Sequence, residues 1–126
     1  MTKILVIDDD DKALAVVKRT LEAAGYDVVT AESALKLPIL VQRERPDLVL
    51  LDVEMPALSG EHVLSLTPMF DFLRNVPIVL HSAKSEDELQ ALVAKSNARG
   101  YIRKSGNPIR FVEQIRGFLS APSAEE

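Results

Sequence analysis

The sequence predicts an α/β domain with a doubly wound, five-stranded parallel sheet in the strand order 2-1-3-4-5. Two observations carry this prediction. Five short β-like runs alternate with helical stretches over 126 residues, which is the pattern of repeated strand–helix–strand units. Most of the runs are continuously apolar, which is typical of strands covered on both faces. Right-handed crossovers leave few topologies for such a chain, and five strands suit this order.

The five predicted strands are short and widely spaced. Four of them are rich in Val, Ile or Leu and do not alternate with polar residues, so we expect them to be buried on both faces. The predicted strands are Lys3–Ile7, Asp27–Thr30, Asp47–Leu51, Pro77–His81 and Gly100–Ile102.

Helical stretches between the strands carry start and stop signals. The first has an apolar stripe that ends at Gly25, a predicted C-cap. Ser85 and Glu88 form a capping box that opens a later helix. Asn107 followed by Pro108 predicts an N-cap and first position for the last helix.

Two stretches are interrupted by proline. Pro38 lies within Ser33–Glu44, where it would either kink a helix or begin a shorter one. Pro68 interrupts Gly60–Arg74, and we expect it to divide that stretch into two short helices.

Composition limits the class of protein. The hydrophobic share is 47%, the charged share 27% and the net charge −4, so a folded domain is expected and phosphate-backbone binding is disfavoured. Without cysteine, disulfides and thiolate metal sites are excluded. We expect one domain over residues 1–120, a short frayed tail over 121–126 and no output domain. No apolar run reaches membrane-span length, and the expected location is the cytoplasm.

Three aspartates follow two of the predicted strands. Asp8 and Asp9 come after the first strand and Asp52 after the third, and the carboxyl ends of these neighbouring strands meet at the switch point of such a sheet. Ser82 and Lys104 follow the fourth and fifth strands at the same edge. The sequence therefore predicts a site that combines three carboxylates, a hydroxyl and an ammonium group.

The chemistry of this set favours phosphoryl transfer. Two carboxylates about 5 Å apart repel by roughly 3 kcal/mol at an effective dielectric near 20, and a divalent cation could hold three of them ionised. An open, all-oxygen site favours Mg²⁺, with Mn²⁺ as a second possibility. Lys104 and Ser82 suit the charged equatorial oxygens of a phosphoryl group, and an aspartate can be the nucleophile.

The ordered motifs resemble those of response-regulator receiver domains, of the stand-alone chemotaxis-regulator type. The resemblance extends from Lys3 to about Leu119 and implies a flavodoxin-like receiver fold. The motifs that carry it are Ile4–Asp10, Pro46–Pro56 with Gly60, Pro77–Ala83 and Gly100–Lys104.

The resemblance implies a role for each matching position. Asp52 would accept phosphate from a histidine kinase or a histidine phosphotransfer protein. Asp8 and Asp9 would hold Mg²⁺ together with Asp52 and the backbone carbonyl of Glu54, and Ser82 and Lys104 would bind phosphoryl oxygens. Tyr101 would be the aromatic switch that turns inward when Ser82 moves.

The implied output surface comprises the helix after Ser85, the fifth strand and the helix after Asn107. It would bind a downstream target, support phosphorylation-dependent dimerisation or pass phosphate along a relay. The protein would catalyse its own phosphorylation and dephosphorylation without being a conventional turnover enzyme. No direct contact with nucleic acid or membrane is expected.

Two departures from the family pattern affect the site. Ser105 follows Lys104 where the family usually has proline, so we expect a trans bond there. Glu54 and Lys84 occupy positions that tune phosphate loss in this family; paired across the mouth of the site, they would slow self-dephosphorylation.

Other interpretations remain open at this point. The fold could serve as a phosphorylation-independent protein-binding module, although degenerate versions tend to lose Asp52 and Lys104. A flavin carrier would need a Ser/Thr/Gly-rich loop where this chain has Asp8–Asp11, and an aspartyl-phosphate hydrolase would normally have an aspartate at position 54. His62 and His81 are expected to be structural or solvated, and Arg103, Arg110 and Arg116 are either a docking patch or ordinary surface.

Overall fold

The computed structural model describes residues 2–53, 75–96, 98–104 and 106–120. Within these ranges the chain alternates strands and helices, with a short 3₁₀ turn at Ala34–Lys36 before the second helix. The strands are β1 Lys3–Ile7, β2 Asp27–Ala31, β3 Leu48–Asp52, β4 Ile78–Ser82 and β5 Gly100–Arg103. The helices are α1 Asp11–Ala23, α2 Leu37–Glu44, α3 Glu86–Ser96 and α4 Pro108–Ser120.

All five strands pair in parallel in the order β2-β1-β3-β4-β5. This confirms the doubly wound sheet predicted from the sequence. The register aligns Ile7 with Leu51, and Asp52 with His81. The carboxyl ends of the central strands therefore meet at one edge, where the candidate site lies.

The observed strands match the predicted ones to within one residue at each end. The main difference is at β3 and β4, which include Asp52 and Ser82 as their last residues. Asp52 pairs with His81, and Ser82 pairs with Arg103 of β5. Strand pairing therefore continues one residue beyond each apolar run. Asp52 and Ser82 are held in place by this pairing and do not lie in the loops that follow.

Two apolar clusters cover the two faces of the sheet. Strand side chains alternate between the faces: Leu50 packs in the cluster beneath α1 and α4, whereas Leu51 packs in the cluster beneath α2 and α3. Both side chains are fully buried. This two-sided burial explains why the strands appear in the sequence as unbroken apolar runs.

The helix boundaries follow the predicted signals. Asp10 caps α1 by accepting hydrogen bonds from the backbone N–H groups of the first turn. Gly25, just past the end of α1, has φ +97, a conformation that favours glycine. Ser85 Oγ accepts from the Glu88 N–H, and Asn107 Oδ1 accepts from the Arg110 N–H. These caps confirm the predicted starts of α3 and α4.

Pro38 begins a shorter helix rather than kinking a longer one. It lies in the first turn of α2, where its missing N–H group costs no hydrogen bond within the helix. The predicted division of Gly60–Arg74 at Pro68 and the predicted tail at 121–126 lie outside the described residues. In the part of the chain that the structure describes, we find no helix with the length and apolarity needed to span a bilayer.

Candidate functional site

The three predicted aspartates come together at the carboxyl edge of the sheet. One carboxylate oxygen from each of Asp8, Asp9 and Asp52 lies within 4.8 Å of the others. Asp8 is 2% exposed and Asp52 is 3% exposed, whereas Asp9 is exposed to solvent. The arrangement confirms the convergence expected from the strand order and places two nearly buried carboxylates beside an accessible third.

The loop after β1 is held by its own hydrogen bonds. The Asp8 backbone N–H donates to the carbonyl of Ala31 at 3.1 Å, which joins the loop to the end of β2. The Asp10 N–H donates to Asp8 Oδ1 at 2.9 Å. Since Asp10 also caps α1, its own carboxylate turns to the helix and is not part of the cluster.

Lys104 supplies a positive charge to this cluster. Its Nζ lies 3.4 Å from Asp52 Oδ1 and 3.5 Å from Asp8 Oδ2. Its backbone N–H donates to the Ser82 carbonyl at 2.8 Å, which fixes the start of the loop after β5. Lys104 therefore reaches the site as predicted; Ser105, where the proline would stand, lies outside the described residues.

Ser82 stands on the other side of the site and is fully buried. Its Oγ accepts a hydrogen bond from the backbone N–H of Lys84 at 3.0 Å. The Lys84 carbonyl in turn accepts from Arg103 Nε at 3.1 Å. Ser82 therefore belongs to a short hydrogen-bonded loop that is held by a side chain of the neighbouring strand.

Sequence reasoning did not find this role for Arg103, which it treated as a possible docking residue. Nothing local signals the contact, since Arg103 and Lys84 are 19 residues apart. The strand order could have suggested it, because Ser82 and Arg103 are paired in the β4–β5 ladder.

Tyr101 lies within β5, where it pairs with Leu80, and Lys84 lies in the loop after β4. Tyr101 is half-buried and packs against the cluster beneath α2 and α3, with its hydroxyl 3.5 Å from Gln90 Nε2 of α3. Lys84 Nζ lies 3.8 Å from Glu88. Glu54 lies outside the described residues, so both its predicted carbonyl ligand and its pairing with Lys84 stay predictions.

His81 is nearly buried and packs beside the site, which is consistent with the structural role expected for it. It is 7% exposed and stacks on Phe111 of α4 with ring centroids 5.3 Å apart. The two rings line a groove of about 510 Å³ between α1 and α4, whose wall includes Lys104. The other histidine, His62, lies outside the described ranges.

The donor set fits a hard divalent cation. Three carboxylates supply oxygen ligands only, and oxygen donors with one accessible side suit Mg²⁺ or Mn²⁺. Among the described residues, the ammonium group of Lys104 lies beside this cluster of three carboxylates, within 3.5 Å of two of them. A cation of charge two would therefore bring this cluster close to neutrality.

The chain matches the family model of the response regulator receiver domain over residues 4–116. It is 26% identical over 116 residues to the polar-differentiation response regulator DivK of Brucella anthropi, covering 92% of this chain and 94% of that protein. It is 27% identical over 120 residues to DivK of Brucella ovis, covering 94% and 98%.

Solved structures give the same result. The Vibrio cholerae chemotaxis protein CheY4 is 27% identical with a TM-score of 0.80, over 93% of this chain and 98% of that one. The BeF3-activated N-terminal receiver domain of Klebsiella pneumoniae RstA is 28% identical with a TM-score of 0.82, over 95% and 100%. The fold is therefore the flavodoxin-like receiver fold, and the chain belongs to the family of response regulator receiver domains of two-component systems.

Proposed function

We propose that this receiver domain is a phosphorylatable switch that accepts a phosphoryl group on Asp52 from a phosphohistidine. The observation that carries the proposal is the position of Lys104, whose ammonium lies within 3.5 Å of both Asp8 and Asp52, beside the accessible carboxylate of Asp9. A nucleophile, acidic groups and a fixed positive charge thus meet at one edge of the sheet, which is the set that phosphoryl transfer requires.

Asp52 is the proposed nucleophile. A carboxylate oxygen would attack phosphorus while the bond from phosphorus to the donor imidazole nitrogen breaks, and the electron pair stays on that nitrogen. Lys104 is close enough to Asp52 to neutralise charge on a phosphoryl oxygen attached there. The near-complete burial of Asp52 excludes most water from the nucleophile and strengthens this attraction.

Asp8, Asp9 and Asp52 are the proposed ligands of Mg²⁺, with the Glu54 carbonyl as a further ligand. When bound, the cation would neutralise charge on the phosphoryl oxygens. Asp8 and Asp9 are held at the end of β1, where the Asp10 N–H bond fixes the orientation of Asp8. We expect this fixed loop to limit the choice of cation to small divalent ions with oxygen preference.

Ser82 and Tyr101 are the proposed elements of the switch. The Ser82 Oγ already accepts a hydrogen bond, so its O–H group can donate to a phosphoryl oxygen. Movement of Ser82 toward the phosphate would open space into which Tyr101 turns, shifting the population of two packings. The surface formed by α3, β5 and α4 would then bind a target, form a dimer or take part in a relay.

The lifetime of the phosphorylated form depends, in this proposal, on Lys84 and Glu54. Opposite charges paired across the mouth of the site would hinder an attacking water, so we expect slow self-dephosphorylation. The proposed donors are a histidine kinase or a histidine phosphotransfer protein.

The test is phosphorylation by acetyl phosphate, followed by intact-protein mass spectrometry with and without Mg²⁺. We expect wild type to gain the mass of one phosphoryl group in Mg²⁺, and Asp52→Asn to gain none. Asp27→Asn is the matched control, because Asp27 begins β2 at the opposite edge of the sheet. An adduct that persists in Asp52→Asn would contradict the proposal. The absence of any adduct in wild type would favour a phosphorylation-independent binding module.

A further inference from the structure

The loop between β4 and α3 is restrained at Lys84 in two directions. The Lys84 N–H donates to Ser82 Oγ at 3.0 Å, and the Lys84 carbonyl accepts from Arg103 Nε at 3.1 Å. The neighbouring Ala83 and Ser85 are exposed. Residues with little burial have few apolar contacts to hold them, so this turn depends on polar contacts: the two hydrogen bonds at Lys84, the Ser85 cap of α3 and the ion pair between Lys84 and Glu88.

Arg103 reaches the loop because of its place on β5. It is the register partner of Ser82 in the adjacent strand, and alternation puts it on the same face as Tyr101, toward α3. The next residue, Lys104, therefore turns to the opposite face, where it meets Asp8 and Asp52. Arg103 and Lys104 therefore extend toward opposite faces of the sheet. Arg103 contacts the loop after β4, and Lys104 contacts the carboxylates.

The Arg103 contact acts on Ser82 through the backbone of Lys84. The Lys84 N–H donates to one lone pair of Ser82 Oγ. The position of that N–H therefore limits the directions in which the hydroxyl hydrogen can point. A hydrogen bond to the carbonyl of the same residue limits rotation of Lys84 about its backbone dihedrals. The contact of Arg103 is therefore transmitted to Ser82 through Lys84.

We propose that Arg103 is a positioning residue for phosphoryl transfer, which holds the loop so that the Ser82 hydroxyl faces the phosphoryl group. This inference rests on the proposed function at Asp52. Ser82 moves toward the phosphate in the proposed switch, and a loop that is held at Lys84 leaves the hydroxyl fewer orientations to lose during that step. Arg103 thus affects the rate of transfer more than the affinity for the phosphodonor or the cation.

Two variants separate the hydrogen bond from the charge of Arg103. Arg103→Gln places an amide N–H at the same number of bonds from Cα as the arginine Nε, without the charge. Arg103→Met has a similar length and no donor. Arg19→Met, on the exposed surface of α1, is the matched control for losing an arginine elsewhere.

The experiment measures the rate of phosphorylation by acetyl phosphate over a range of donor and Mg²⁺ concentrations. We expect Arg103→Met to lower the maximal rate about fivefold, the loss that corresponds to one ordinary hydrogen bond, with half-saturating concentrations unchanged. Arg103→Gln and Arg19→Met should remain within about twofold of wild type, because one keeps the donor and the other lies far from the loop.

A spectroscopic measurement accompanies the kinetics. The amide N–H of Ser85 shares a peptide unit with the Lys84 carbonyl, so its NMR chemical shift reports the Arg103 hydrogen bond. We expect this signal to move in Arg103→Met and to return toward its wild-type position in Arg103→Gln.

Two results would overturn the inference while leaving the proposed function intact. One is a wild-type rate in Arg103→Met; the other is an equal loss in Arg103→Gln and Arg103→Met, which would assign the effect to charge rather than to the donor. A wild-type protein that takes up no phosphate would overturn both proposals together.

Discussion

The two sides of the candidate site are held by different kinds of interaction. On the side of α1 and α4, Asp8, Asp52 and Lys104 interact through charge, with ammonium-to-carboxylate distances of 3.4 and 3.5 Å. On the side of α3, Ser82 and Arg103 act through directional hydrogen bonds to one backbone residue, Lys84. The two sets of groups meet at the carboxyl edge of the sheet but extend toward opposite faces, because successive residues of each strand face opposite ways.

This difference has a physical consequence. Charge–charge interactions at nearly buried groups are strong and act in all directions, so they tolerate small displacements. Neutral hydrogen bonds are worth less and weaken steeply when the angle changes. We therefore expect the charged side to determine whether phosphoryl transfer occurs and the hydroxyl side to determine how fast and how selectively it occurs.

The largest effect should come from removing the Lys104 ammonium group on the charged side. Lys104→Met removes the ammonium group that lies beside Asp52, and we expect a loss of about 100-fold or more in the phosphorylation rate, as for other transition-state donors. Ser82→Ala, on the opposite side, should cost about tenfold, since a neutral donor stabilises the charge less. Phosphorylation rates with acetyl phosphate measure both losses. Equal losses in Lys104→Met and Ser82→Ala would contradict the expected difference between the two sides.

A smaller effect is expected on stability. Asp9→Asn removes one of three crowded carboxylates, so the metal-free protein should become more stable by about 1 kcal/mol, a rise of roughly 3 °C in melting temperature. The same variant should lose most of the stabilisation that added Mg²⁺ gives wild type. Thermal melts with and without Mg²⁺ test this, with Asp27→Asn as control. A lower melting temperature in the metal-free variant would show that repulsion in the cluster is unimportant.

The smallest effect concerns a second acidic pair, away from the cluster. A hydrogen bond with Asp11 and the negative charge of Asp11 raise the pKa of Glu32 above its usual value near 4.5, while Lys36 partly opposes the shift. Because the folded-state pKa is the higher one, this group favours the fold below about pH 4.5 and loses that contribution as the pH rises through the folded value.

Melting temperatures of wild type and Glu32→Gln across this pH range test the sign of the effect. Wild type should gain stability relative to the variant as the pH falls from 7 toward 4.5. The change should be slight, because Glu32 is fully exposed. The same difference at every pH would show that Asp11 does not affect the titration of Glu32.

Much of the architecture was predictable because its signals are local. Continuous apolar runs indicate two-sided strands, and the caps at Asp10, Ser85 and Asn107 use side chains that bond to backbone groups within three residues. The convergence of Asp8 and Asp52 was also predictable, since it requires only that β1 and β3 be parallel neighbours. The carboxyl ends of β3 and β4 were harder to predict, because strand pairing extends to the polar residues Asp52 and Ser82, which lie beyond the apolar runs.

The sequence by itself determined the elements, their order and the set of polar groups at the carboxyl edge, because each depends on residues close together in the chain or on alternation along a strand. Only the tertiary structure decided which of those groups touch. The contacts of Lys104 with two carboxylates, the stacking of His81 on Phe111 and the bond from Arg103 to Lys84 join different elements. Their geometry depends on strand register and helix packing, which no local pattern of residues specifies.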